Sequence, residues 1–483
     1  MIRLRIILLI IGYLLSIISI AMLAPLLVDL ILGNSDWQAF FAALFITVFI
    51  GVSLILTCRQ DKIRNVSVRE AFILTSLSWL ALVFFAALPF YFSELQISFT
   101  DAFFEAMSGL TTTGATVLSG LDFAPPGILI WRAMLEWVGG IGIIVMAIAI
   151  LPLLRVGGMQ LFRTESSDKN DKILPRARQM SLAISKIYLF FTIICAISYY
   201  IAGMNLFDSI LHSMTTVSTG GFSTHDASIS FYNSRPIETV AIFFMILGAL
   251  PFLIYIKMLR GDLKSLVTDN QVKFFFSMLL AFISLTIYWL VNHKGFDFSG
   301  AVRLASFNIA SIMTTTGFAS ANYNVWGEFM LILFFMLTVV GGCTGSTTGG
   351  IKIFRFQILY IIAKYQIFKL IQPHGIYRIQ YNKHIVSDNV SSAVLSFFIL
   401  FCLCFFVVTM LLAISGLDFI TSLSAAAAAL ANVGPGLGDI VGPTGNYGSI
   451  NDFSKWVLSF TMLVGRLEIF TILVLFSKLF WKD

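Results

Sequence analysis

Thr111-Thr112-Thr113-Gly114 is the stretch that decides the fold, because similar stretches follow it three more times. Each copy comes after a short apolar run and before a polar loop. Thr is stiff and Gly frees the backbone to take a positive φ, so the pattern is atypical of a lipid-facing helix. It favours an extended backbone with inward-pointing carbonyl groups, as in cation filters, and four copies predict four walls around one axis. The other copies are Val217-Ser218-Thr219-Gly220, Thr314-Thr315-Thr316-Gly317 and Ala431-Asn432-Val433-Gly434.

The composition places the chain in a membrane. Of its 483 residues, 58% are hydrophobic and 12% are charged, and the mean hydropathy is +0.91. A soluble domain has about 25% charged residues. Apolar runs long enough to cross a bilayer recur, and the alternation expected of an outer-membrane barrel is absent, so an all-α integral membrane protein is predicted. The five cysteines form no spaced framework, so neither disulfides nor a metal site is indicated.

The distribution of charge predicts the orientation. A net charge of +6 could suggest nucleic acid, but most of the 31 Lys and Arg residues fall in alternate connections between apolar runs. By the positive-inside rule these connections are cytoplasmic, which puts both termini inside and every Thr/Gly copy on the outer side. The first apolar run lacks a cleavage site and is expected to be a retained span.

The four copies divide the chain into repeats. Two leading spans, near 4–31 and 37–57, precede a unit of span, short re-entrant helix, Thr/Gly copy, outer loop and return span. Repeated four times, this unit predicts about ten transmembrane helices around a pseudo-fourfold pore. The predicted units are 1–69 for the leading spans, then 70–182, 183–272, 273–389 and 390–483 for repeats 1 to 4.

The short segment before each copy is predicted to be a half-crossing helix. Asp101 and Asp208 are expected to cap the first two, with Asp297 or Ser299 and then Asp418 in the later copies. Such a helix aims the partial negative charge of its carboxyl end at the axis, which favours a cation. The alternative is that these are surface turns with capped helices.

A glycine-rich segment should interrupt the return span of the third repeat. Five glycines within ten residues cost a helix about 1 kcal/mol each, so the span is expected to break. A phosphate loop would need G-x-x-x-x-G-K-[ST] after a strand, and neither is present. A kink for packing is the simplest alternative. The segment is Gly341-Gly342-Cys343-Thr344-Gly345-Ser346-Thr347-Thr348-Gly349-Gly350.

Arg466 is the unusual charge of the last span. It lies about 15 Å beyond Trp456 along a helix, where an unpaired Arg is costly, so it should face an aqueous cavity. The alternative is an ion pair with Glu468 or Glu136. Glu136 could equally pair with Arg132 four residues earlier.

The motifs TTTG, VSTGG, MTTTGF and ANVGPG resemble the Trk/Ktr/HKT superfamily of potassium transporters. The two extra leading spans are most similar to its bacterial TrkH/TrkG branch. The resemblance implies a bacterial inner-membrane protein whose four copies bind K⁺ through their carbonyls. It also implies that 341–350 form a gating loop and that Arg466 stands inside the filter as a barrier to cations. The expected partners are the lipid bilayer, a second copy of the chain, and cytoplasmic nucleotide-binding RCK subunits of the TrkA type.

Three functions compete at this level. The first is an ion-translocating subunit with a channel-like filter. The second is a proton- or sodium-coupled potassium symporter, which would need intramembrane acids or paired broken helices in inverted repeats. The third is a membrane enzyme, which would need a polar cluster that the five histidines do not form. We expect no enzyme activity, no cofactor and no nucleic-acid partner, with K⁺ as the substrate.

Overall fold

The computed structural model describes residues 3–59, 67–149, 173–373, 380–382 and 384–482. The predicted end of the first return span and most of the basic connection that follows it, residues 150–172, lie outside the described residues, as do 60–66 in the preceding basic connection. The helices of the first half are α1 Leu4–Ala21, α2 Leu23–Leu32, α3 Trp37–Cys58, α4 Val68–Ala86, α5 Leu88–Phe92, α6 Phe99–Leu110, α7 Pro126–Ala149, α8 Ile173–Ile201, α9 Leu206–Val217, α10 Arg235–Ala249, α11 Phe252–Leu259 and α12 Lys264–Thr268.

The second half continues the same alternation of long and short helices. A two-stranded antiparallel pair, β1 Gln380–Tyr381 with β2 His384–Ile385, precedes the fourth repeat. Its helices are α13 Asn270–Lys294, α14 Phe298–Met313, α15 Glu328–Val339, α16 Ile353–Ile371, α17 Asp388–Ile414, α18 Phe419–Ala431, α19 Gly438–Val441, α20 Asp452–Arg466, α21 Ile469–Leu473 and α22 Lys478–Trp481. Short 3-10 turns lie at Leu121–Phe123, Ser228–Tyr232, Tyr323–Trp326 and Val474–Phe476.

The helical membrane architecture is confirmed. Within the described residues, seven helices are long and apolar enough to cross a membrane, and two bent helix pairs raise the number to nine. The third return segment adds α15 and α16, which the glycine-rich segment separates. The two leading spans cross closely, because a Cβ on Gly12 would come within 2.8 Å of the Gly51 carbonyl oxygen.

Four half-helices precede the Thr/Gly copies: α6, α9, α14 and α18. In each, the N-cap side chain accepts a hydrogen bond from the backbone N–H three residues later. The caps Asp297 and Asp418 agree with the sequence. For the first two half-helices the predicted caps are wrong: Ser98 and Asn205 are the N-caps, and Asp101 and Asp208 lie three residues into the turn. Carboxylates there still face the positive end of the helix dipole.

Three return segments change direction near their middle. The pair α10 and α11 bends by 90° around Pro251, and Asp452–Arg466 bends by 111° against Ile469–Phe476. The third segment breaks at the glycine-rich segment, as predicted. The bends of the second and fourth segments were not predicted from sequence, although Pro251 lacks the N–H needed to continue a helix.

Candidate functional site

The four half-helices end in the same way. One residue of each copy has a left-handed backbone, the second residue in copies 1, 3 and 4 and the third in copy 2, with φ of 50° at Thr112, 53° at Thr219, 55° at Thr315 and 52° at Asn432. This conformation costs a residue with a side chain about 1–2 kcal/mol. Its occurrence at four matched positions indicates that the backbone geometry is needed there.

The next residue of each copy donates its N–H to the carbonyl five residues earlier, which closes a Schellman motif. The bond lengths are 2.8 Å for Thr113 to Ser108, 2.9 Å for Gly220 to Thr215, 2.9 Å for Thr316 to Ser311 and 2.9 Å for Val433 to Ala428. These bonds set the register between the copies. Gly114, Gly317 and Gly434 are therefore equivalent to Gly221, whose φ is +93°. The sequence-based match of Gly220 with Gly114 is wrong by one residue.

We call residues 111–114, 218–221, 314–317 and 431–434 the ring segments, because they touch one another in a closed cycle. A Cβ on Gly114 would collide with the Gly220 carbonyl oxygen, one on Gly221 with that of Thr316, and one on Gly317 with that of Val433. A Cβ on Gly434 would come within 2.6 Å of the Thr113 carbonyl oxygen. Each glycine thus allows the close approach of a carbonyl from the next repeat, and the cycle runs through repeats 1, 2, 3 and 4.

Side chains behind the ring hold the segments in place. The hydroxyls of Thr111 and Thr113 lie 2.7 Å apart, and those of Thr314 and Thr316 lie 2.8 Å apart. Asn432 donates through its side-chain amide to the Thr113 hydroxyl at 3.0 Å, which ties repeat 4 to repeat 1. All five residues are buried. The hydroxyls are therefore engaged with one another.

The glycine-rich loop, Gly341–Gly350, packs against the helix-side end of the ring segments. Gly350 donates its N–H to the Ala431 carbonyl at 2.7 Å, and Gly349 donates to the Thr315 hydroxyl at 2.7 Å. Thr347 and Thr219 hydrogen-bond through their hydroxyls at 3.0 Å. The loop thereby contacts the segments of repeats 2, 3 and 4.

The same loop fills the bend between α10 and α11. The N–H groups of Cys343 and Thr347 donate to the carbonyls of Ala249 and Gly248 at 3.0 and 3.1 Å. The Phe252 N–H donates to the Gly345 carbonyl at 3.0 Å. Hydrogen bonds from outside thus replace those that a continuous helix would make, as buried backbone requires.

Arg466 joins this loop to the first repeat. Its side chain is 3% exposed and donates to the carbonyls of Thr347 at 3.0 Å and Gly139 at 3.5 Å. Its Nε atom has no hydrogen-bond partner within the described part of the chain. Neither predicted acidic partner forms an ion pair with it: Glu468 pairs with Arg355, and Glu136 accepts from a backbone amide.

On the other side of the ring lies a cavity of about 290 Å³, which we call the vestibule, and the four ring glycines face it. Arg132 lines its wall, pairs with Glu105 at 2.8 Å and donates to the Ser223 carbonyl at 2.7 Å. The predicted pair of Arg132 with Glu136 is therefore wrong. Arg132 instead joins the loops that follow the first two ring segments.

His225 lies at the rim of the vestibule, and no metal-ligand spacing in the sequence singles it out. Its ring nitrogens lie 2.5 Å from Asp122 and 3.2 Å from Asp208, and its ring stacks on Phe231. Burial would lower the pKa of His225, but the hydrogen bonds to the two carboxylates outweigh it and raise that pKa. Nearby, Asp226 accepts the N–H groups of Gly120 and Leu121, so the loops of repeats 1 and 2 are cross-linked twice.

A family model described as a cation transport protein, TrkH, matches residues 36–483. The chain belongs to the TrkH family. It is 42% identical to the Trk system potassium uptake protein TrkI of Halomonas elongata, over 97% of this chain and 95% of that protein. It is 38% identical to the Trk system potassium uptake protein TrkH of Escherichia coli K12, over 98% of each chain.

A solved TrkH structure has the same fold over the whole chain. The crystal structure of the potassium transporter TrkH from Vibrio parahaemolyticus aligns with a TM-score of 0.92 at 36% identity and covers 100% of both chains. The resemblance that the four motifs indicate is thus confirmed at the level of family and fold. In the described residues, no group of three or more His, Cys, Asp or Glu side chains is placed to hold a metal ion.

Proposed function

We propose that the chain conducts K⁺ selectively across the bacterial inner membrane through the ring segments. The observation that carries this proposal is the closed cycle of glycine–carbonyl contacts through all four repeats. Carbonyls brought together in such a cycle can replace the hydration shell of a cation. The names of the TrkH relatives, which specify potassium uptake, support K⁺ as the ion.

The glycine-rich loop and Arg466 form the proposed gate. The loop contacts the inner end of three ring segments, and Arg466 adds a buried positive charge to it. A cation leaving the ring would meet both before reaching the cytoplasm. Opening requires the loop to exchange its hydrogen bonds for water, at a net cost of about 0.5–1.5 kcal/mol each.

Regulation is proposed to come from outside the chain. Resemblance to the superfamily supports cytoplasmic RCK subunits of the TrkA type, a homodimer with one pore per chain, and cytoplasmic termini. The relatives described above are named as potassium uptake proteins of a Trk system. In this arrangement the vestibule faces outward, and the glycine-rich loop faces the regulatory subunits.

The proposal is tested by the reversal potential of the purified chain in planar bilayers, with K⁺ on one side and Na⁺ on the other at matched pH. A potential that follows the K⁺ gradient and does not move with a pH step is expected. A potential near zero would contradict selectivity. One that shifts with pH would instead support a proton-coupled symporter, the alternative left open by the sequence.

A further inference from the structure

Glu136 is a buried acid placed directly behind the ring segment of repeat 2. It lies on α7, its side chain is 0% exposed, and both carboxyl oxygens accept the Phe222 N–H at 3.1 Å. Burying a carboxyl costs free energy unless hydrogen-bond donors or charges compensate for the lost water. Among the described residues, the hydrogen-bond donor to Glu136 is the backbone N–H immediately after Gly221.

The contact fixes the orientation of one peptide unit. The N–H of Phe222 belongs to the peptide that follows Gly221, so its hydrogen bond orients the end of the ring segment. The Glu136 carboxyl also packs directly against Gly220, since a Cβ on Gly220 would collide with it. The side chain of Phe222 is held as well, because the guanidinium of Arg132 lies 4.1 Å from the centroid of its ring.

The other repeats offer no equivalent acid. Return helices of repeats 1, 2 and 4 each place a glycine against the carbonyl of the residue just before their own ring segment: Gly139 against Leu110, Gly248 against Val217, and Gly465 against Leu430. Counting back three residues from each glycine gives the matching positions. They hold Glu136, Met245 and Met462. In repeat 3 the glycine-rich loop interrupts the corresponding helix.

Repeat 2 also has an unusual ring segment. Its third position, where repeats 1 and 3 have Thr113 and Thr316, is Gly220. The hydroxyl pair that supports those two segments from behind is therefore missing in repeat 2. The carboxyl of Glu136 occupies the space that the absent side chain leaves.

We propose that Glu136 is a positioning residue for selectivity, which replaces the missing hydroxyl support by holding the Phe222 N–H. This inference rests on the proposed function. The proposed effect on selectivity depends on how far the side chain at position 136 reaches and on its acceptor oxygen. Selectivity should therefore follow hydrogen-bond geometry, whether or not the group at position 136 is ionisable.

Two variants separate reach from charge. Glu136→Asp keeps the carboxyl but withdraws it by about 1.5 Å, one bond length, from the Phe222 N–H. Glu136→Gln keeps the reach and an acceptor oxygen but cannot ionise. We expect the K⁺/Na⁺ permeability ratio to fall about tenfold in Glu136→Asp, as the loss of one hydrogen bond allows, and to stay within about twofold of wild type in Glu136→Gln.

The controls separate this inference from the proposed function. Glu238→Asp makes the same change in a buried acid that pairs with Arg303 at 2.8 Å, away from the ring, and should keep the wild-type ratio. If the wild-type chain itself does not prefer K⁺, the proposed function fails. If it does and Glu136→Asp keeps the ratio, or Glu136→Gln loses it, the positioning role is overturned.

A second measurement covers the case in which Glu136→Asp does not fold. The melting temperature of the detergent-solubilised protein is measured in K⁺ and in Na⁺. Glu136→Gln should retain the wild-type difference between the two salts, because its segment is still held. Loss of that difference in a folded Glu136→Gln protein would overturn the proposal independently of the aspartate variant.

Discussion

Gly221→Ala tests the register of the second ring segment. The structure makes Gly221, and not Gly220, the counterpart of the other three ring glycines. If the ring conducts K⁺ as proposed, this one methyl group should reduce the preference for K⁺ over Na⁺. The perturbation is small in volume, so its effect depends on where the methyl group points.

The magnitude follows from two contributions. The φ of +93° at Gly221 is left-handed, and alanine in that region costs about 1–2 kcal/mol. In addition, the new Cβ would collide with the Thr316 carbonyl oxygen, which is backbone and cannot rotate away alone. Relieving the overlap displaces a proposed K⁺ ligand. If that displacement weakens the preference for K⁺ over Na⁺ by about 1.4 kcal/mol, the selectivity falls tenfold.

The assay is the K⁺/Na⁺ permeability ratio of the purified chain in planar bilayers. Gly317→Ala should behave like Gly221→Ala, since its φ is +81° and its Cβ would collide with the Val433 carbonyl. Gly142→Ala is the matched control, because a Cβ there meets no atom of the described residues within 4 Å. A wild-type ratio in a folded Gly221→Ala protein would refute the register and the role of the ring.

Four further outcomes are expected. Arg466→Ala should raise the single-channel conductance by removing a buried charge and its bond to Thr347, and an unchanged conductance in a folded protein would contradict the barrier. Deleting Cys343–Thr348 should raise the basal K⁺ flux into liposomes, whereas unchanged flux would count against a gate. Raising the pH through the elevated pKa of His225 should lower the melting temperature, because stabilisation by the protonated ring is complete below about pH 6.5 and is lost above the folded-state pKa. His225→Asn should flatten that dependence, and an equally steep curve in the variant would exclude His225 as its source. Replacing K⁺ by choline should also lower the melting temperature. Bound K⁺ at a hundred times its dissociation constant adds about 2.7 kcal/mol to the free energy of unfolding, and choline would remove that contribution. An unchanged melting temperature would argue against an equilibrium K⁺ site.

The sequence was sufficient to predict the repeats, because their signals are local. A hydroxyl-rich run that ends in Gly, with a capped apolar segment before it, specifies a half-helix and a turn within about 20 residues. The break at Gly341–Gly350 is equally local, because glycines lower helix stability wherever they lie. The long apolar runs, likewise, fix the membrane class without any tertiary information.

The register of repeat 2 could not be predicted in the same way. Gly220-Gly221 offers two glycines, and either could end the segment. The choice depends on where the half-helix stops, which the bond from the Gly220 N–H to the Thr215 carbonyl reveals. The partners of Arg132 and Glu136 also needed the fold, because spacing along a helix favours their pairing while the true partners, Glu105 and Phe222, belong to other segments.

The structure separates the support of the ring from the contacts of the loop. Each ring segment keeps its left-handed turn through bonds to its own half-helix, and none of those bonds involves Gly341–Gly350. The loop reaches the ring through the hydroxyls of Thr219 and Thr315 and through one carbonyl, that of Ala431. Moving the loop would therefore break three contacts and leave the four Schellman motifs intact. A gate built in this way can change the flux without changing the ion preference, so deletion of Cys343–Thr348 should raise flux at a constant permeability ratio.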